Sequence, residues 1–184
     1  MLPTASPAHI GLCEADKQAY IADYLSSGAS VSVSFTRPND TTAYTAGDAV
    51  GAASAILTFA GLGTGSTPGR NLLITSASLR IDVNGVPVGM SAFRLHLYNA
   101  QPAAVADNAA FDLAAGDRAA YQGFIEFTAP EDLGATLWSQ RDSLNHQVQL
   151  AAGSTTLYGV LQTIGAYTPT AQAVKTLTLR AISV

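Results

Sequence analysis

The sequence predicts an all-β protein: a two-sheet antiparallel sandwich of jelly-roll type, with an N-terminal arm and one short helix. Three observations predict it. About eight short strand-like segments fill residues 31–184; apolar residues in the clearest of them recur at every second position; and clusters of Gly, Pro, Asn and Asp separate one segment from the next. Eight antiparallel strands with several long connections fit two packed sheets, and the jelly roll is the eight-stranded form of that arrangement. An immunoglobulin-like sandwich would space its strands similarly. Its Cys…Trp…Cys signature is missing here, and no internal repeat suggests a propeller or solenoid.

Residues 1–13 contain Pro3 and Pro7 and no periodicity, so they read as an extended arm, free or tied down by a partner. From Glu14 to Leu25 the pattern turns helical. Ile21, Tyr24 and Leu25 share one face, Glu14 and Asp16 lie at the start, and Gly28 follows the end. Three turns cannot bury much alone. Tyr20 and Tyr24 on this helix, with Leu2, Ile10 and Leu12 in the arm, are therefore the expected partner contacts. Residues 1–29 form the expected arm and 30–184 the sandwich domain.

After Gly28 the period changes to two: Val31, Val33 and Phe35 alternate with Ser32, Ser34 and Thr36. A second run spans Ala52 to Phe59, and the glycine-rich connector 61–69 follows. The next strand puts Leu73, Ala77, Leu79, Ile81 and Val83 on one face and Ser76, Ser78, Arg80 and Asp82 on the other. Asn84-Gly85 reads as a type I′ hairpin turn. Pro87 makes the start of the returning arm irregular, and the strand recovers at Phe93, Leu95 and Leu97, with Arg94, His96 and Tyr98 opposite. Residues 101–121 read as a long connection with one helical turn near Asp117. Further strands are expected at Gln122–Thr128, Asn145–Leu150, Thr156–Ile164 and Val174–Ser183. Thr156–Ile164 is apolar on both faces, so the facing sheet and something outside it should both cover it.

No residue cluster supplies chemistry. His9, His96 and His146 lack metal-ligand spacing. His146 shares a face with Val148 and Leu150 and reads as structural, whereas His96 shares one with Arg94 and reads as wet or interfacial. Gly63-Thr64-Gly65-Ser66 has neither nucleophile-elbow nor P-loop spacing and reads as a loop. Asp107, Asn108, Asp112 and Asp117 could offer oxygens to calcium, but Asx-turns and caps explain them more simply. Glu131-Asp132 reads as a turn. No cofactor or metal is expected. Trp138, with Tyr44 and Tyr167, could instead form a sugar-stacking platform, the mark of a carbohydrate- or receptor-binding module on a fibre; a lone Trp is more often half-buried packing.

Of the 184 residues, 48% are hydrophobic and only 12% charged, against roughly 25% charged in an ordinary soluble domain. Such a surface repels neighbours weakly and suits packing against copies of itself or another assembly. A net charge of −4 without a basic cluster argues against direct nucleic-acid binding. Cys13 is the single cysteine, which excludes an intrachain disulfide and points to a reducing cytosol. No secretory signal or membrane-spanning stretch is read, so a soluble protein is expected.

Three stretches together carry a family resemblance: SVSFTRPNDTTAYTAGDAVG within residues 30–51, FRLHLYNAQPAAVADNAAFDLAAGDRAAYQGFI at 93–125 and TLYGVLQTIGAYTPTA at 156–171. In order and spacing they resemble the jelly-roll capsid decoration, or cement, proteins of tailed double-stranded DNA bacteriophages. The resemblance covers roughly Ser30 to the C-terminus. It implies a non-enzymatic virion structural protein, made in the host cytoplasm. That protein would be a homotrimer on the capsid surface that bridges neighbouring capsomers of the major capsid protein. It implies no catalytic or ligand residues.

Overall fold

The computed structural model describes residues 28–62, 69 and 71–184. The expected helix Glu14–Leu25, His9, Cys13, residues 63–68 of the connector and the contacts Leu2, Ile10, Leu12, Tyr20 and Tyr24 lie outside the described residues. Among the described residues eleven strands appear in chain order: β1 (Gly28–Thr36), β2 (Ala49–Val50), β3 (Ile56–Ala60), β4 (Asn71–Asp82), β5 (Phe93–Tyr98), β6 (Tyr121–Phe127), β7 (Glu131–Asp132), β8 (Leu137–Arg141), β9 (His146–Gln149), β10 (Thr156–Thr163) and β11 (Val174–Ser183). One 3₁₀ turn, Ala115–Asp117, falls where the sequence placed a helical turn.

All pairings are antiparallel and form two sheets. One runs β1-β11-β4-β8-β7, with β9 also on β4; the other runs β2-β10-β5-β6, with β3 also on β10. β2 and β3 are one strand interrupted at 51–55, since both pair with β10. β8 and β9 are likewise one strand interrupted at 142–145, since both pair with β4. Merged in this way, the strands follow the orders first-eighth-third-sixth and second-seventh-fourth-fifth. Those are the two interlocked Greek keys of a jelly roll, with β7 as a short ribbon added to β8.

The core lies between the sheets. Leu72, Ile74, Leu79, Ile81, Leu177 and Leu179 face Phe59, Phe93, Leu95, Phe127, Leu157 and Leu161, all buried. Alternation builds this layer, because every second residue of each strand points inward. Gly159 marks a close approach within the core: a Cβ there would sit 2.8 Å from Leu95 Cδ1 and 3.1 Å from Phe59 Cε2. A second apolar layer covers the outside of the β2-β10-β5-β6 sheet, where Val105, Phe111 and Leu113 pack on Val160 and Tyr98. The outer covering that β10 needs is therefore this chain's own connection 101–120.

Several expectations are corrected. β4 does not keep one phase. Its register to β11 shifts at Arg180/Ala181, leaving Thr75 as an extra residue. Leu72 and Ile74 point into the core and Leu73 does not, because a bulge reverses the inward face. Thr75 is held in the bulge by its hydroxyl, which donates to the Arg180 carbonyl, and by its own carbonyl, which accepts from Leu144 N–H. Asn84-Gly85 closes no hairpin. Only Gly85 has positive φ, and β4 and β5 belong to opposite sheets. Two positive φ values define type I′, so residues 83–92 instead carry the chain across the sandwich. The second run starts at Ile56 rather than Ala52, Glu131-Asp132 is a strand ribbon rather than a turn, and β8 was not foreseen.

Candidate functional site

The strongest concentration of polar chemistry is a buried brace at one end of the sandwich. Arg37, the residue after β1, is 2% exposed. Its Nε donates to the Tyr44 hydroxyl at 2.6 Å, and its Nη2 reaches Asp107 Oδ2 at 3.0 Å and Asp40 Oδ1 at 3.2 Å. The Tyr44 hydroxyl donates in turn to Asp107 Oδ1, which also accepts Gly51 N–H at 2.8 Å. A buried guanidinium is tolerable only when its donors are answered by charge and lone pairs, and this arrangement answers them. The carboxylates and Tyr44 hold the Arg37 pKa above its ordinary value although burial pulls it down. Burial, and then the bond to Asp107, raise the Tyr44 phenol.

Main-chain bonds extend the brace. Tyr44 N–H donates to Tyr167 carbonyl, Asn108 N–H to Ala49, Ala49 N–H to Ala109, Phe111 N–H to Gly47 and Ala55 N–H to Val105. The rings of Tyr44 and Tyr167 lie 5.0 Å apart, and Tyr167 meets Phe93 edge-on. Arg37, Tyr44 and Asp48 come from the first of the three family-like stretches, His96, Asp107 and Phe111 from the second, Gln162 and Tyr167 from the third. The residues that carry the resemblance thus converge on one another.

Lys175 belongs to the same end. It lies on β11 in phase with Leu177 and Leu179 and is 1% exposed. Burial, reinforced by Arg37 and opposed by Asp107, pushes its pKa down to about 7. Its ammonium nitrogen is 5.9 Å from the centre of the Phe35 ring. Among the described residues, the Tyr167 hydroxyl is buried without a hydrogen-bond partner.

His96 is corrected from wet to buried, at 6% exposed. Phe111 stacks on it at 3.9 Å, its Nδ1 meets the Tyr121 hydroxyl at 3.0 Å and its Nε2 meets Gln162 Oε1 at 3.0 Å. Gln162 Oε1 can only accept, so Nε2 carries the proton and Nδ1 accepts from Tyr121. Burial lowers the ring's pKa and favours this neutral form. Gln162 Nε2 then donates to Gly47 carbonyl at 3.0 Å, closing a relay that pins connection 101–120 to the sheet.

Beside this relay a cleft of about 250 Å³ opens between the connection and the sheet. Tyr98, Val160 and Phe111 line its inner part, and Asp112 and Asp117 also face it. A shallower hollow beside Trp138 is bordered by Thr128, Glu131 and Gln140.

The acidic residues do not gather around an ion. Asp107 serves the brace, Asp117 Oδ2 accepts Ala103 N–H at 2.9 Å and Asp112 is exposed. Among the described residues no group of three His, Cys, Asp or Glu side chains could hold a metal. The proposed sugar platform is also corrected: Tyr44 and Tyr167 are buried in the brace, leaving Trp138 half-buried by itself on β8. His146 is half-buried and bonds the Gln122 carbonyl at 2.8 Å, a structural role. Sequence reasoning missed Arg37 and Lys175. Lys175 had one visible signal, its place in an otherwise leucine-lined alternation.

No protein-family model matches the chain, and no curated protein matches it significantly. Solved structures resemble it distantly. The capsid of Ralstonia phage GP4 is 14% identical over 85% of this chain and 83% of that one, with a TM-score of 0.37. The decameric BFDV capsid protein is 14% identical over 85% and 98%, at 0.34. The cleaved adhesin domain of Lys-gingipain from Porphyromonas gingivalis is 15% identical over 70% and 63%, at 0.28. At these identities and TM-scores the likenesses bear on neither the role nor the partners of this chain.

Proposed function

We propose that this chain is a non-enzymatic structural protein of a virus particle, one that decorates a bacteriophage capsid and cements it by bridging neighbouring capsomers. It acts as a homotrimer on the outside of the shell, with the major capsid protein as its partner. The N-terminal arm that precedes β1 clasps a neighbour through Leu2, Ile10, Leu12, Tyr20 and Tyr24. One observation supports this reading above the rest: the three stretches that resemble cement proteins meet in a buried brace, Arg37–Tyr44–Asp107 with Tyr167 beside it. Such a set of residues fixes a shape and offers no group to a substrate. The low charge of the chain suits broad, repeated contacts, each of at least about 1,000 Å², whose sum holds through multivalency.

The test compares purified particles with and without this protein by electron cryomicroscopy. Extra density on the head, lost in the deletion together with resistance to heat, is the expected result. Density confined to a tail tip, or heads of unchanged stability, would reject the cement role.

A further inference from the structure

We propose that the cleft between connection 101–120 and the outer face of β5 and β10 holds a lysine side chain supplied by a partner protein. The chemistry of the cleft fits a stem that is apolar along its length and cationic at its tip. Val160, Phe111 and the alanines of the connection offer an aliphatic stem contact over about 250 Å³. Tyr98 lines the same space and is 1% exposed, yet no described residue hydrogen-bonds its hydroxyl. With no partner among the described residues, the Tyr98 hydroxyl is an acceptor for a donor that enters the cleft.

Asp112 and Asp117 supply the charge. Neither takes part in a salt bridge among the described residues. Arg118, next in the chain to Asp117, does not line the cleft. Asp117 Oδ2 is occupied by Ala103 N–H, and Oδ1 has no partner among the described residues. An arginine fork seeks both oxygens of one carboxylate, whereas an ammonium carries three separate donors. The cleft is lined by three residues that carry acceptor oxygens, Asp112, Asp117 and Tyr98, a set that suits lysine. The pairing holds for any partner that presents such a side chain, whether or not the chain belongs to a virion.

The experiment titrates the full ¹⁵N-labelled chain with Nα-acetyl-lysine methylamide and follows amide shifts. Saturable shifts are expected at Ala103, Ala110, Phe111 and Ala114, with a Kd of about 1–10 mM for so small a probe. The norleucine counterpart, which has a similar stem and no ammonium, should bind at least about fivefold more weakly. Asp112→Asn should weaken the lysine probe by a similar factor, and Tyr98→Phe should weaken it too. Unchanged shifts elsewhere in each spectrum show that the fold is intact. Equal binding of the norleucine probe, preference for the arginine derivative, or no saturable shift at these amides up to about 50 mM would each overturn the proposal.

Discussion

Lys175 occupies a position where the alternation of β11 calls for a leucine, and its burial has a cost that depends on pH. In the unfolded chain its pKa is the ordinary 10.5, and in the folded protein it is about 7. Between those values the unfolded chain holds a proton that the folded chain has released, so stability rises as pH rises through the window and is lowest below it. Lys175→Met keeps the length of the side chain and removes the charge. It should be more stable than the parent by about 2–4 kcal/mol at neutral pH, and the gap should close toward pH 10. Urea midpoints of both proteins measured at unit steps from pH 7 to 10 check this. A gap that stays constant across the series would mean that Lys175 is not the group that titrates. Arg37, just past the strand that pairs with β11, is the opposite case: its charge is answered by Asp107, Asp40 and Tyr44, and it stays ionised.

At the scale of elements, Asp107 decides whether connection 101–120 is part of the fold. Its two oxygens join Arg37 and Tyr44, which precede the interrupted β2–β3 strand, to Gly51 within the interruption. Asp107→Ala leaves a buried guanidinium short of its main partner and should cost about 3–5 kcal/mol, read as a lowered midpoint in thermal or urea unfolding. A loss under about 0.5 kcal/mol, the range of ordinary surface substitutions, would show that the brace is not a support. None of this was legible beforehand, because the brace depends on residues some seventy positions apart that only the fold brings together. What could be read were elements with a strict alternation. β11 matches its expected span at both ends, and β1, β5 and β10 follow their apolar phase. β8 escaped because Leu137–Arg141 contains too short an alternation to register. The phase break in β4 escaped for a different reason: a bulge is set by the partner strand, here by the gap between β8 and β9 opposite Thr75, and leaves no mark in the strand's own composition. His96 was misplaced because its cover, Phe111, comes from a segment that reads as a loop.

For the whole molecule, the jelly roll closes by pairing its first described strand with its last, and among the described residues this places β1 at the edge of its sheet. Among the described residues β1 pairs on one side only, in unbroken register from Gly28↔Ile182 to Thr36↔Val174. Its outward hydroxyls are already engaged, Ser32 with Thr178 at 2.8 Å and Ser34 with Thr176 at 2.7 Å. The nine residues contain no charge, proline or bulge, and Val31, Val33 and Phe35 remain half-exposed. Proteins that stay alone blunt such an edge. An edge left plain, on a chain whose surface carries little repulsive charge, suits the proposed association with copies of itself. The resemblance implies three copies, so light scattering at about 50 µM, above the µM-to-pM span of specific interfaces, should give the mass of three 18.9 kDa chains. That mass should persist at high salt, since contacts built on few charges are little affected by screening. A mass of one chain at that concentration would remove the trimer, and with it the reason for β1 to carry no defence of its own.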